Sequence, residues 1–302
     1  MSSGNETIVF PPGVTTPAEL FYAYTFHFYP SVLPGALVCA TFAVFTVVLL
    51  GLTLKFGGRY MYFLVASALL ETIGYGMRVM IAQAVPAKPS LTSYMIFALF
   101  TLLPPIFMAL VNYYVVGKLI EASGKTVRLL GRELHHNHVA RVFLGGDILT
   151  LWIQGGGSGL LIIQNTTFNT LGLAVVLFGL VLQLLFFVAF VWIIRRVAVD
   201  AEYWTPMAAR LPKLKQIYLG LNLTIGFLFV RNVYRIVEFA LSSQPSINQP
   251  MELVFFLFES TAILSALFCY SVFHFGHLFN YKEADVQASA DQAVHLDQFD
   301  TV

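Results

Sequence analysis

Residues 216–241 read QIYLGLNLTIGFLFVRNVYRIVEFAL, and the reading of this stretch decides the fold. It is longer than the roughly 20 apolar residues that a helix needs to cross a bilayer. Yet Arg231, Arg235 and Glu238 lie inside it at spacings of four and three, which places them on one helix face. A charge at bilayer depth costs at least about 2.5–3.5 kcal/mol on insertion scales, so such residues face protein and mark a functional region.

The rest of the chain supports a membrane setting. Hydrophobic residues make up 58% and charged residues 11%, against about 25% charged in ordinary soluble domains. Mean hydropathy is +0.76, and 28 residues are Phe. The class is all-α, a polytopic membrane protein. The net charge of +1 gives no reason to expect nucleic acid or an acidic partner. Cys39 and Cys269 both fall within apolar runs, so no extracellular disulfide framework is visible.

Scanning for span-length apolar runs predicts seven helices, near 31–54, 60–83, 93–116, 142–163, 171–194, 216–241 and 251–273. An odd number puts the termini on opposite sides. The loops near 55–59, 117–141 and 195–215, with the tail, hold Lys55, Arg59, Lys118, Lys125, Arg128, Arg132, Arg141, Arg195, Arg196, Arg210, Lys213, Lys215 and Lys282, whereas the other side holds only Lys88. The positive-inside rule therefore places the N-terminus outside and the C-terminus in the cytoplasm. The domain reading is an extracellular segment 1–30, a seven-helix bundle 31–276 and a cytoplasmic, acidic and polar tail 277–302 expected to be disordered. The first 30 residues lack the basic n-region and apolar core of a signal peptide. Asn5-Glu6-Thr7 is a glycosylation acceptor on the outer side, so the chain reads as a glycoprotein.

The remaining span charges form a pattern. Span two carries Glu71 near its middle and Arg78 two turns on, with Gly74 and Gly76 flanking Tyr75 as points of close helix approach. The last span opens on Glu252 and carries Glu259 two turns inward. Ordered by depth, Arg78, Arg231, Arg235, Glu238 and Glu259 share the outer half with Glu71 at the middle, so buried pairing is expected. Arg78 or Arg235 is expected to meet Glu238 or Glu259 across helices.

Span four holds Asp147 near its cytoplasmic end, then Gln154 and Gly155-Gly156-Gly157-Ser158-Gly159. Asp147 has two readings, a pair with Arg141 or a helix cap. Glycine costs about 1 kcal/mol in a helix interior relative to Ala. The run therefore means either tight helix packing or a broken helix whose backbone lines a cavity. Pro104-Pro105 should kink or locally open span three. His135, His136 and His138 sit among basic residues in the 117–141 loop without a completing carboxylate or Cys, which reads as a solvated loop facing anionic lipid rather than a metal site. No P-loop, nucleophile–base pair or metal spacing stands out. The chain reads as not an enzyme, with no cofactor and no metal.

Several of these pieces resemble one family. Glu71-Thr72-Ile73-Gly74-Tyr75-Gly76-Met77-Arg78 is similar to E-x-x-G-Y-x-x-R of the fungal RTA-like, or lipid-translocating exporter, proteins. Asp147 through Gly157 resembles their D…Q-x-G-G-G stretch, and Arg231-Asn232-Val233-Tyr234-Arg235-Ile236-Val237-Glu238 their R-x-x-Y-R-x-x-E. Glu252 resembles the acidic residue that opens their last span. The resemblance runs from about 31 to 276. It departs at Glu259, where an aspartate is usual, at Phe255, Phe256 and Phe258, where a Tyr is usual, and at His274-Phe275-Gly276 in place of His-Pro-Gly.

The resemblance implies a seven-span plasma-membrane protein linked to resistance to sphingoid bases and sterol analogues. Its expected activity is to bind and translocate (export or flip) sphingoid bases, sterol-like compounds or phospholipids, giving resistance to toxic lipids. The ligand or translocation residues it implies are Glu71, Tyr75, Arg78, Asp147, Gln154, Gly155, Gly156, Gly157, Arg231, Tyr234, Arg235, Glu238, Glu252 and Glu259. An ammonium head would seek Glu71, Glu238 or Glu259, whereas a phosphate would seek Arg78, Arg231 or Arg235. Without an ATPase motif, movement would run downhill, couple to protons through a membrane carboxylate, or scramble. The alternative is a receptor-like lipid sensor signalling to a cytoplasmic protein partner through its loops and tail. The sequence leaves oligomeric state open.

Overall fold

The computed structural model describes residues 19, 22, 26–85, 91–129, 132–134, 136–161, 166–211, 213–241 and 250–279. Asn5, His135 and the tail beyond residue 279 lie outside them.

The apolar runs become helices, as backbone groups without water must bond within their own segment. In chain order these are α1 (Val32–Phe56), a 3-10 turn at Arg59–Met61, α2 (Tyr62–Ala84), α3 (Leu91–Leu102) and α4 (Pro104–Ser123). There follow α5 (His136–Leu161), α6 (Thr166–Val199), α7 (Ala201–Arg210), α8 (Leu214–Leu241), α9 (Pro250–Phe255), a π turn at Phe256–Ser260 and α10 (Thr261–Val272). A three-residue hairpin, β1 (Val127–Leu129) antiparallel to β2 (Arg132–Leu134), interrupts the all-helical expectation in the loop before α5.

Among the described residues six helical stretches are long and apolar enough to cross a membrane: Val32–Phe56, Arg59–Gln83, Thr92–Ser123, Thr170–Val199, Leu214–Leu241 and Pro250–Phe279. The chain is thus a polytopic membrane protein. The seventh expected span corresponds to α5, a helix of 26 residues. Its length suffices, at about 1.5 Å per residue, but Asp147, Gln154 and the glycine run dilute its hydropathy, and it falls outside that set.

The helices form a closed ring. Following the chain, α1 packs on α2, α2 on α4, α4 on α5, α5 on α6, α6 on α8, α8 on α10, and α10 returns to α1. Helix α4 also touches α8 across the interior, and fifteen of its twenty residues are buried. That explains its need for a clean start. Pro104 and Pro105 lack amide protons and are tolerated at a first turn. The chain therefore breaks at Leu103, where Leu103 N still bonds Leu99 O at 3.2 Å. The expected kink is here a boundary between α3 and α4.

The basic loops are ordered against each other. Asp200 caps α7 by accepting from Glu202 N at 3.1 Å. Tyr203 OH donates to Thr126 O at 2.9 Å, Arg210 Nη1 to Ala122 O at 3.1 Å, and Lys125 pairs with Glu202. At the same end of the bundle Gly58 takes φ +96° and the backbones of Gly57 and Gly276 meet; a Cβ on Gly276 would lie 2.5 Å from Gly57 O, so only glycine fits.

Candidate functional site

The polar residues of the spans separate into a junction and a seam. The junction lies where α2, α8 and the α9–α10 rod converge. The last helix turns there through the π turn, in which Thr261 N reaches Phe256 O. A π turn inserts one residue and shifts the phase of everything after it. Consequently the neighbours Glu259 and Ser260 both point inward, while Leu257 and Phe258 remain exposed.

Glu259 meets α8 there. Arg231 donates to Glu259 Oε1 from Nε at 3.0 Å and Nη2 at 2.7 Å, and Nη2 lies 3.3 Å from Thr101 O at the end of α3. Beside it, Tyr75 of α2 shares a short hydrogen bond with Ser260. One turn further along α8, Arg235 Nη1 donates to Glu238 at 2.9 Å within the same helix.

Arg78 is paired with Glu252 at 2.7 Å and is fully buried. Its guanidinium lies 4.8–5.9 Å from the ring centroids of Phe26, Phe28, Phe255 and Phe256, a cage in which each ring face attracts the cation. Glu252 also accepts from Ser31 N at 2.7 Å and Ser31 Oγ at 2.5 Å. Ser31 precedes the first turn of α1, so the carboxylate also satisfies a donor and the dipole at that helix start. One residue thus ties α1, α2 and α9 together.

The expected cross-helix pairs therefore need correcting. Among the described residues of the junction, Arg78–Glu252 and Arg231–Glu259 bridge helices, and Arg235–Glu238 is an i,i+3 pair on one helix. Glu71 joins none of them. It is 1% exposed, and among the described residues neither of its carboxylate oxygens has a hydrogen-bond partner.

Alongside this junction lies a cleft of about 530 Å³. One wall is the α8 stripe Phe229, Val230, Val233, Tyr234, Val237, Glu238 and Leu241, and the other is Met251, Val254 and Phe258 of the last helix. Phe26, His27 and Phe28 close one end. His27 is left-handed at φ 61°, with its amide and that of Phe26 both bonded to Tyr22 O. That conformation ends the turn and sets Phe26 and Phe28 on Arg78. Burial pushes the His27 imidazole below the ordinary histidine value, favouring its neutral form. The lining is almost wholly apolar, with Glu238 its one carboxylate.

The seam, formed by α4, α5 and α6, holds the other expected residues. Tyr113 OH donates to Asp147 at 2.7 Å, which replaces both expected roles of that aspartate. Gln154 Nε2 donates to Gln183 Oε1 at 3.0 Å. A Cβ on Gly157 would come within 2.8 Å of Val176 and 2.9 Å of Gly172 O, so this glycine seats α5 on α6. A Cβ on Gly155 or Gly156 would meet nothing within 4 Å, and the helix runs unbroken through the glycine run. Of the two readings of that run, tight packing holds at Gly157; the broken-helix cavity is not formed. Similarly, Gly74 approaches Phe100 and Thr101 closely, whereas Gly76 faces open space.

A match to a protein-family model covers residues 64–282 and is described as RTA1 like protein. The chain belongs to the RTA1-like family. The matched stretch contains the seam and the charged residues of the junction, whereas Phe26, Phe28 and Ser31 precede it. No curated protein and no solved structure matches the chain.

Sequence reasoning about this RTA1-like protein missed Ser31, Ser260 and Thr101, each of which binds a charged or buried partner from another helix. Thr101 acts through its backbone carbonyl, which no side-chain pattern marks, and single hydroxyls such as those of Ser31 and Ser260 carry no periodic signal. The same holds for Tyr270, whose hydroxyl lies 3.0 Å from Asn112 Oδ1, with Thr224 Oγ1 at 3.2 Å from that oxygen. The cleft wall was legible in principle, since 230, 234, 237, 238 and 241 recur at helical spacing.

Proposed function

We propose that this protein binds amphiphilic lipids in the cleft and translocates them across the plasma membrane, conferring resistance to toxic lipid-like molecules. The supporting observation is the cleft itself: an apolar trough about the size of a drug-like ligand site, flanked by lipid-facing residues, with one carboxylate among aliphatic and aromatic walls. In this reading α5 is the seventh span, the N-terminus lies outside and the basic loops face the cytoplasm, as the positive-inside rule requires. The cleft then opens in the outer half of the membrane. Its chemistry suits an amine-headed single chain, whose ammonium meets Glu238 while the tail lies along Val233, Val237 and Val254. A neutral His27 presents no repelling charge. Glu238 is itself held by Arg235 at 2.9 Å within α8, so the ammonium would share that carboxylate with the guanidinium.

The test is reconstitution of the purified chain into liposomes, following fluorescent sphingoid-base and phospholipid analogues across the bilayer. Val237→Trp fills the cleft from a position that is already exposed. Protein-dependent movement of the amine analogue that falls severalfold in Val237→Trp, with unchanged thermal unfolding, supports translocation through the cleft. Binding without movement overturns it in favour of a sensor. A chemically altered lipid recovered by mass spectrometry overturns it in favour of an enzyme.

A further inference from the structure

Three guanidiniums at the junction, the buried Arg78 and Arg231 and the half-buried Arg235, pair with Glu252, Glu259 and Glu238 respectively. Glu71 is a fourth carboxyl with no cation of its own among the described residues. It sits midway along α2, sealed from solvent, and neither oxygen meets a donor among them. The charged groups that act on it are Glu259 on the π turn and Arg231 and Arg235 on α8, and on its own helix Tyr75 lies one turn away. Glu259 Oε2 is equally without a partner, because both donors from Arg231 go to Oε1. Arg231 thus serves one carboxylate with a second, empty-handed one in its neighbourhood.

An ionised carboxylate in this position would be a buried charge with neither donor nor counter-ion, which proteins avoid at a cost of several kcal/mol. A proton removes the conflict. We propose that Glu71 is the proton-carrying group of this protein, holding a proton in the arrangement described and exchanging it with Glu259 as Arg231 changes partner. The step balances. The acid at Glu71 releases its proton and becomes a carboxylate, Arg231 moves from Glu259 to Glu71, and Glu259, left without a cation, takes up the proton. The junction keeps one proton and no net charge throughout. Glu259 adjoins Phe258, which lines the cleft, so the exchange carries a proton from the middle of α2 toward the ligand wall. The π turn is the element able to absorb the shift, since its surplus residue allows a change of register without breaking the helix.

The coupling of this proton to lipid movement rests on the translocator reading; the protonation of Glu71 does not. The two are therefore tested separately on the full chain in phosphatidylcholine liposomes. Infrared difference spectra in H2O and D2O read buried carboxylic acids by their C=O stretch. The expected result is an acid band at neutral pH that disappears in Glu71→Gln, shifts in frequency in Glu71→Asp and persists in Glu238→Gln. No acid band in the wild type, or one unchanged in Glu71→Gln, overturns the proposal; the Glu71→Asp shift keeps the assignment testable should Glu71→Gln fail to fold. In the second arm, movement of a fluorescent long-chain amine is followed under an imposed pH gradient. The wild type is expected to respond severalfold to the gradient and Glu71→Gln not at all. Wild-type movement that ignores the gradient, or that follows a sodium gradient instead, overturns the coupling. Absence of wild-type movement overturns the translocator reading alone, with the acid band still deciding Glu71.

Discussion

The junction and the seam are both built from polar residues inside apolar helices, yet they resolve their polarity in different ways. At the seam every named group is matched to a neutral neighbour: Asp147 to Tyr113, Gln154 to Gln183, Gly157 to the surface of Val176. At the junction the partners are charged, and polar atoms of Glu71, Arg78, Arg235 and Glu259 have no bond among the described residues. Buried polar atoms are nearly always satisfied in folded proteins, so a concentration of exceptions is informative. The seam holds helices together; the junction keeps unsatisfied capacity, which the proposed proton on Glu71 would use.

Mutation can break this contrast. The largest effect is expected from Arg78→Ala, which strands Glu252 against Ser31 and empties the aromatic cage. Removing one partner of a buried pair costs about 3–5 kcal/mol, so the variant should lose most of its folded yield, measured by size-exclusion profile and thermal unfolding in detergent. A yield equal to wild type would show that the cage is dispensable.

Next is Gly157→Ala. Overpacking typically costs about 1–3 kcal/mol, and here the new methyl meets backbone of α6. Gly156→Ala, one residue away in open space, should instead be neutral or gain up to about 1 kcal/mol from helix propensity. Unfolding temperatures of the two variants, compared side by side, measure how local the seam is.

Tyr113→Phe should follow, removing the donor to Asp147 at a cost of about 1–3 kcal/mol for the unsatisfied group. Its signature separates the regions: lower stability with any pH response of transport retained.

The smallest effect on stability is expected from Glu71→Gln. With no partner to lose, it should unfold within about 1 kcal/mol of wild type. A large loss would mean that Glu71 is structurally committed like Glu252, and the contrast would collapse.

How much of this was legible follows from what each signal depends on. The apolar runs and prolines act locally, and they placed the helices and the break at Leu103. Arg235 and Glu238 lie three apart on one helix, so their pairing needed no knowledge of neighbours, yet the expectation placed both in cross-helix pairs. The inter-helix pairs depend on how each helix is rotated, and the π turn resets that rotation midway along the last one. Glu252, read as a boundary residue, became the partner of Arg78; Glu71, two turns from Arg78 on the same face, did not. The glycine run was ambiguous because packing and unwinding call for the same residue. Only contact with α6 separates Gly157 from Gly155 and Gly156.

The closed ring has a consequence for biosynthesis. A chain emerging from its N-terminus delivers Arg78 in the second span and Arg231 in the eighth helix, before either bridging carboxylate exists. Glu252 and Glu259 arrive together on the final rod, which also shuts the ring against α1. Until that rod is made, two guanidiniums wait in the membrane without their counter-ions. Chains arrested before Pro250 should therefore be visible to cellular surveillance as half-assembled, since completion of the last span supplies both counter-ions at once.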